Sequence, residues 1–427
     1  MITLAKKLMG GSMVNLSIRG LTLLLRFALG FYIVSFLGLK AAGIYGLAIG
    51  AVGMAPAILG WGLNYHVARD VIGAAPDVGA PLVKSRLSVT LGSLIAMTIV
   101  ALPLILTSGA DLRLLYLLIL ILVWLETIAL DLYMPMIGWE MVVQANIMVF
   151  IRSAAWIPIV TALAFWHPLF RSLEAIFVAW ICSHFFAFAL LPYFLRQWPV
   201  REALKSSISL QWARRRITRF WYIYLSDVSI VGLIYVDRYI VSVFLGLAAT
   251  GIYSFYWSIT NALQTLMMTA VVQVALPRMV KAFRSGDPDR WRIELRHQTI
   301  KTLIMATVLG VAVFILTEAI IYFGPEGRFP VARGLFTLLL LASIIRCSSD
   351  LMNVGITSSG NDKRYAFTNL VGVFLSIALA ALGLHLFGLI GVGLSSLLTS
   401  IILLSIRFAY LRTVRVGQDG ASVEKAV

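Results

Sequence analysis

Four polar residues near the start of the chain could do chemistry together. Asn15, Arg19, Thr22 and Arg26 follow one another at intervals of four, three and four. That spacing puts all four on one face of a helix. Arg19 and Arg26 then stand two turns apart, about 10 Å along the axis. Both interrupt a long apolar run, and a charge in the middle of a bilayer costs about 3 kcal/mol or more. Such a face points at a cavity or a partner, not at lipid tails. Two guanidinium forks side by side suit the oxygens of a phosphate group. The plainer alternatives are that Arg19 reaches back to the membrane surface and that Arg26 pairs with a buried acid.

Other charges sit in apolar runs. Arg346, Ser349, Asp350 and Asn353 share a second helical face, and Arg346 and Asp350 are spaced to pair with each other. Gln144 and Arg152 lie in one run. Asn261, Thr265, Thr269 and Gln273 form a neutral stripe that could meet sugar hydroxyls or glue helices together. The acids Glu126, Asp131, Asp227, Asp237 and Asp350 are candidates for carrying a proton or another ion through a transport cycle. They could equally be fixed partners of the arginines.

The elements that must hold these residues are membrane helices. Of 427 residues, 60% are hydrophobic and only 13% charged, against about 25% in a soluble globular protein. The mean hydropathy is +0.92. Twelve apolar runs are long enough to cross a bilayer: 12–36, 41–64, 86–108, 114–137, 143–165, 173–195, 217–245, 248–275, 300–323, 332–356, 365–384 and 388–410. None alternates like a membrane strand, so each is expected to be helical. Kinks are expected at Pro56, Pro103, Pro135, Pro158 and Pro192. With the N-terminus in the cytoplasm, 24 lysines and arginines fall in cytoplasmic segments and 5 on the other side. That bias places both termini in the cytoplasm. No cleavable signal peptide is expected.

The net charge of +16 is therefore read as topogenic, a match to anionic membrane lipids and not to nucleic acid. Cys182 and Cys347 are isolated, and no Cys/His spacing suggests a metal. Neither a phosphate-binding glycine loop nor a hydrolase motif is present, so no cofactor and no enzymatic activity are expected. The basic segment from Ser207 to Arg219 carries Trp212 and Ile217 and could lie on the inner leaflet.

The chain repeats itself. Residues 36–45 read FLGLKAAGIY and residues 244–253 read FLGLAATGIY, with YIVS just upstream of each. This implies two parallel six-helix halves, 1–200 and 217–427, joined by a basic linker at 201–216. Gly43 and Gly251 are assigned to the tight turns between helices.

The segments FLGLKAAGIYGL (36–47), DRYIVSVFLGLAATGIYSF (237–255), LPRM (276–279) and FGLIGVGLSS (387–396) resemble polysaccharide-repeat flippases of the Wzx type. These belong to the multidrug/oligosaccharidyl-lipid/polysaccharide exporter superfamily. The resemblance implies an all-α polytopic membrane protein with about twelve transmembrane helices, in two pseudo-symmetric lobes around a central cavity. It implies translocation of undecaprenyl-diphosphate-linked oligosaccharide across a bacterial inner membrane for O-antigen or exopolysaccharide synthesis, next to polymerase machinery. Cavity arginines would hold the diphosphate. Arg19 and Arg26 match that role by helix and face, with Arg152 and Arg346 as weaker matches. A cation or drug antiporter of the multidrug exporter type is the competing expectation.

Overall fold

The computed structural model describes residues 2–72, 75–196, 205–323 and 329–414. Asn15, Arg69 and Gln273 lie outside the described side chains, and Arg201, Arg328, Arg415 and Lys425 outside the described residues. All regular elements described are helical. The first are α1 (Ile2–Tyr32), α2 (Gly38–Leu59), α3 (Leu63–Val71), α4 (Pro76–Leu106) and α5 (Ala110–Gly138). Then come α6 (Val142–Phe150), α7 (Ile157–Trp166), α8 (Leu173–Phe194), α9 (Leu210–Arg219) and α10 (Trp221–Met267). The chain ends with α11 (Gln273–Arg284), α12 (Pro288–Phe323), α13 (Arg333–Ser358) and α14 (Asp362–Thr413).

Among the described residues, nine helical stretches are long and apolar enough to cross a membrane. Three of them, Ser17–Leu59, Trp221–Arg284 and Asp362–Arg412, run to 43, 64 and 51 residues. At 1.5 Å per residue each exceeds about 60 Å, twice the thickness of a bilayer core. Each is broken by a glycine in the left-handed region: Gly38 (φ 84°), Gly246 (φ 79°) and Gly388 (φ 60°). The chain reverses at the latter two. Tyr253 and Asp237, on either side of Gly246, are hydrogen-bonded at 3.1 Å. The backbones of Gly383 and Gly391 touch across Gly388, where a straight helix would hold them about 12 Å apart. Counting these three stretches as two passes each gives the twelve spans that hydropathy indicates.

The turn glycines are thus not Gly43 and Gly251. They are Gly38 and Gly246, at matching positions of the repeat, because only glycine takes a positive φ without steric cost. Gly43 and Gly251 have a different task. A Cβ on either would overlap a backbone carbonyl, Leu247 for Gly43 and Leu39 for Gly251. Two helices cross there with their backbones in contact.

The proline expectation also needs correction. Pro56, Pro103, Pro135 and Pro192 fall within the last turn of their helices, so almost no helix follows them that a kink could redirect. The mid-span irregularities are π turns at Ile33–Leu37, Ile151–Ala155 and Met268–Val272. Only the second sits beside a proline. Pro158 cannot donate to the Ala154 carbonyl, which takes the Trp156 N–H instead.

The chain packs as two compact units. One comprises Met1–Tyr32 and Leu47–Val231; the other comprises Ile33–Gly46 and Gly232–Val427. The sequence reading divides the chain at 201–216, whereas these units part inside α10. The junction 33–46 groups with the second unit because of the Gly43–Gly251 crossing. The first unit is built on α5 against α4 and α8, with Met136, Ala145, Met148 and Ala187 in its core. The second is built on α13 against α12 and α14, with Leu263, Met267, Ala306, Leu340 and Cys347 in one cluster.

Candidate functional site: charges held inside the helices

In the first unit, α1 lies against α6, the π turn at 151–155 and α7. Arg19 is half-buried and donates to the Tyr133 hydroxyl at 3.2 Å and to Asn146 Oδ1 at 3.5 Å. Both partners are neutral. Thr22 is buried and returns its hydroxyl to the Ile18 carbonyl. Arg26 is exposed and donates its Nε–H to the Ser153 carbonyl at 3.2 Å. That carbonyl belongs to the π turn, whose wider winding leaves main-chain oxygens to accept from side chains. Arg152, in the same turn, has its carbonyl bonded by Ser183 Oγ at 3.1 Å. Among the described residues, Arg26 has no acidic partner.

Arg152 is placed differently. It is buried and forms an ion pair with Glu126 of α5. Glu126 also meets His184 of α8, Nε2 to Oε2, at 2.9 Å. His184 is fully buried, and its Nδ1 faces the Trp180 carbonyl at 2.9 Å. A carbonyl only accepts, so Nδ1 carries hydrogen. Glu126 thus holds Arg152 and His184 together, one on each carboxylate oxygen. Sequence reasoning missed His184, and missed Tyr133 and Asn146 as supports of Arg19. A histidine or asparagine inside an apolar run was the available signal.

Asp131 pairs with Arg86, both with fully buried side chains. Arg86 opens the apolar run 86–108, at the place of a flanking charge. It lies within α4 and is neutralised there. Asp227, half-buried on α10, also sits in the field of Arg86.

In the second unit, Asp237 accepts from Tyr253, from Ser376 at 3.2 Å and from Ser396 at 3.4 Å. Its neighbour Arg238 is buried, donates to the Gly46 carbonyl at 2.8 Å and lies 3.9 Å above the Trp257 ring. Arg346 does not pair with Asp350. It donates to the Leu233 carbonyl at 3.0 Å. With Asp237, Asn261, Gln264, Ser343 and Ser400 it lines a cavity of about 20 Å³, room for a water molecule or a small ion. Asp350 instead faces Arg407 at 3.6 Å, and Arg407 is further tied to Ser349 at 2.7 Å and Asn369 at 2.8 Å.

The sequence candidates thus fall into several clusters. Arg19 and Arg26 lie along one helix. Glu126 and Arg152 are brought together with His184, Asp131 and Asp227 gather at Arg86, and Asp237 and Arg346 share a small cavity. Asp350 has Arg407.

Several solved structures share this fold. The chain is similar to an inward-facing multidrug resistance MATE family transporter of the MOP superfamily, with TM-score 0.69 and 15% identity, over 97% of this chain and 99% of that one. It is similar to the lipid II flippase MurJ in an inward closed conformation, with TM-score 0.72 and 14% identity, over 97% and 89%. The eukaryotic MATE transporter AtDTX14 follows, with TM-score 0.63 and 14% identity, over 99% and 98%. At such identities the likeness establishes the fold. No protein of curated function matches the sequence closely enough to count as a relative. The family model described as "Polysaccharide biosynthesis protein" matches residues 8–283, well over half the chain. With its repeated apolar helices and transporter fold, this multi-pass membrane protein belongs to the polysaccharide biosynthesis protein family.

Proposed function

We propose that the chain is a flippase for undecaprenyl-diphosphate-linked oligosaccharide repeat units. It carries them across a bacterial inner membrane by alternating access, for O-antigen or exopolysaccharide synthesis. The family membership supports the pathway, and the MurJ-like fold supports a lipid-linked cargo. Both termini are cytoplasmic in this reading, and polymerase machinery on the far side consumes the product.

One observation carries the reading. Among the described residues, Arg26 has a guanidinium with no acid against it: it donates to the Ser153 carbonyl, two helical turns from Arg19 on α1. A diphosphate supplies the missing negative charge and suits the guanidinium fork. Arg152, paired with Glu126, and Arg346, bonded to a carbonyl, are less available for this role. We assign coupling to Glu126 with His184, whose carboxylate and ring meet at 2.9 Å.

The test is Arg26→Ala and Arg26→Lys in the source organism. Surface polymer and extracted lipids would be followed by mass spectrometry. Arg26→Ala is expected to insert normally, lose the polymer and accumulate polyprenyl-diphosphate oligosaccharide. Arg26→Lys retains part of the activity. A fully active Arg26→Ala sinks the proposal. A drug or cation antiporter is the second reading, favoured by the acid in the Asp237 cavity. It requires Asp237-dependent export of cationic dyes, and unchanged dye accumulation on overexpression rejects it.

A further inference from the structure

Helix α9 is ten residues long and leads directly into the membrane-spanning α10. Its sequence, LQWARRRITR, carries four arginines and no acid. Four ties hold this segment to the first unit. Arg216 pairs with Asp70 at 2.9 Å, and Trp212 Nε1 donates to the same carboxylate at 3.3 Å. The Ser209 N–H donates to Ser85 Oγ at 2.8 Å, and Lys84 Nζ donates to the Ser206 carbonyl at 2.7 Å. Ala213 is buried beneath them. The fixed face of the helix is therefore settled by its own contacts.

On the adjoining face, Arg215 and Arg219 stand four residues apart and exposed. Among the described residues neither has a carboxylate partner. Together with Ser209, Trp212, Arg216 and Phe220 they line a cavity of about 320 Å³. The Arg219 guanidinium lies 5.5 Å from the Phe220 ring centre and that of Arg216 lies 6.0 Å from it. Three guanidinium groups thus line one cavity, and among the described residues Asp70 is the acid paired with any of them. Beside the cavity Ile208, Leu210 and Trp221 are 47%, 60% and 59% exposed. Water is a poor neighbour for those three side chains, whereas the boundary between headgroups and acyl chains suits them.

We propose that this cavity is a binding site for a phosphate-bearing headgroup. The arginine forks take the phosphate oxygens, and the Trp212 and Phe220 rings flank the group they hold. The exposed apolar chains favour a membrane lipid over a soluble phosphate compound as its source. The site is distinct from Arg19 and Arg26, and it does not depend on what the protein transports.

Native mass spectrometry of the purified full-length chain in detergent tests this. The probes are phosphatidylglycerol, zwitterionic phosphatidylcholine as the control lipid, and inorganic diphosphate as the soluble phosphate. The variants are Arg215→Gln/Arg219→Gln and, as a control of equal charge, Arg290→Gln/Arg292→Gln in the exposed start of α12. At on the order of fivefold per arginine, the first pair is expected to weaken phosphatidylglycerol binding about 25-fold. The control pair is expected to leave it near wild type. Equal losses in both pairs, or no preference for phosphatidylglycerol over phosphatidylcholine together with no diphosphate binding, overturn the proposal. Diphosphate binding that is lost only in the first pair, without lipid preference, keeps the phosphate site but assigns it to a soluble compound.

Discussion

His184 Nε2 stands 2.9 Å from Glu126 Oε2, while the opposite ring nitrogen faces the Trp180 carbonyl at the same distance. The ring thus bridges the Glu126 carboxylate and the main chain of its own helix. Arg152 completes the cluster from the π turn that also receives Arg26. The proposed proton carrier and the proposed diphosphate holder therefore touch the same five-residue turn, at Arg152 and Ser153. A change of protonation at Glu126 can alter the pull on Arg152 and so the shape of the turn that Arg26 grips.

This arrangement predicts the behaviour of His184→Phe. The change removes the ring nitrogens but keeps the Glu126–Arg152 pair. The protein is expected to insert and to lose about 1–3 kcal/mol of stability from the unmade hydrogen bonds. Transport in reconstituted vesicles should lose its response to an imposed pH gradient while downhill movement of the lipid persists. A variant that responds to the gradient like wild type would remove His184 from the coupling site.

The buried Arg86–Asp131 pair gives a second expectation. Removing one partner leaves an uncompensated charge and costs about 3–5 kcal/mol. Arg86→Met alone and Asp131→Leu alone should each reduce the yield and the melting temperature sharply. The double variant Arg86→Met/Asp131→Leu should recover part of that loss, because Asp131 no longer stands as a lone charge, although Asp227 still loses the field of Arg86. Additive losses measured by thermal unfolding in detergent would show that the pair does not act as one.

Much of the architecture is legible in the sequence because bilayers impose a one-dimensional rule: apolar length gives the spans and repeated motifs give the duplication. Gly38 and Gly246 sit at matching repeat positions, yet local sequence does not say which of several glycines takes the positive φ. The partners of the charges are less legible. Arg346 and Asp350 are correctly spaced to pair on one helix, but α13 turns Asp350 toward Arg407 and Arg346 toward the Leu233 carbonyl. Glu126, Arg152 and His184 come from three helical segments, and no spacing within one helix announces their meeting. Arg86 reads as a flanking charge because it opens an apolar run, while its fate is decided by Asp131 on the next helix.

The crossing of Gly43 and Gly251 gives a third expectation. An added Cβ at Gly251 would meet the Leu39 carbonyl, a backbone atom that cannot swing aside. Gly251→Ala is therefore expected to cost about 1–3 kcal/mol or more through overpacking. Gly92→Ala is the matched control: nothing lies within 4 Å of its Cβ position, and alanine is the better helix former. Unfolding temperatures that fall for Gly251→Ala and hold or rise for Gly92→Ala would support the close crossing. Equal effects would refute it.

Arg238 separates a fixed structural cation from a cargo-binding one. It directly follows Asp237, the acid of the small cavity, and it is 1% exposed. Its guanidinium lies 3.9 Å from the Trp257 ring centre and 5.0 Å from that of Tyr235, and it donates to the carbonyl of Gly46. Stacking on a ring needs a flat cation, and lysine keeps the charge without the plane. Arg238→Lys should therefore destabilise the protein despite conserving charge. A double-mutant cycle with Trp257→Leu should return a coupling of about 1–2 kcal/mol, the range for a desolvated cation over an aromatic face. Surface polymer in cells expressing Arg238→Lys should fall only as far as the amount of folded protein falls. Loss of polymer at a normal protein level would place Arg238 among the groups that handle the cargo, contrary to this assignment.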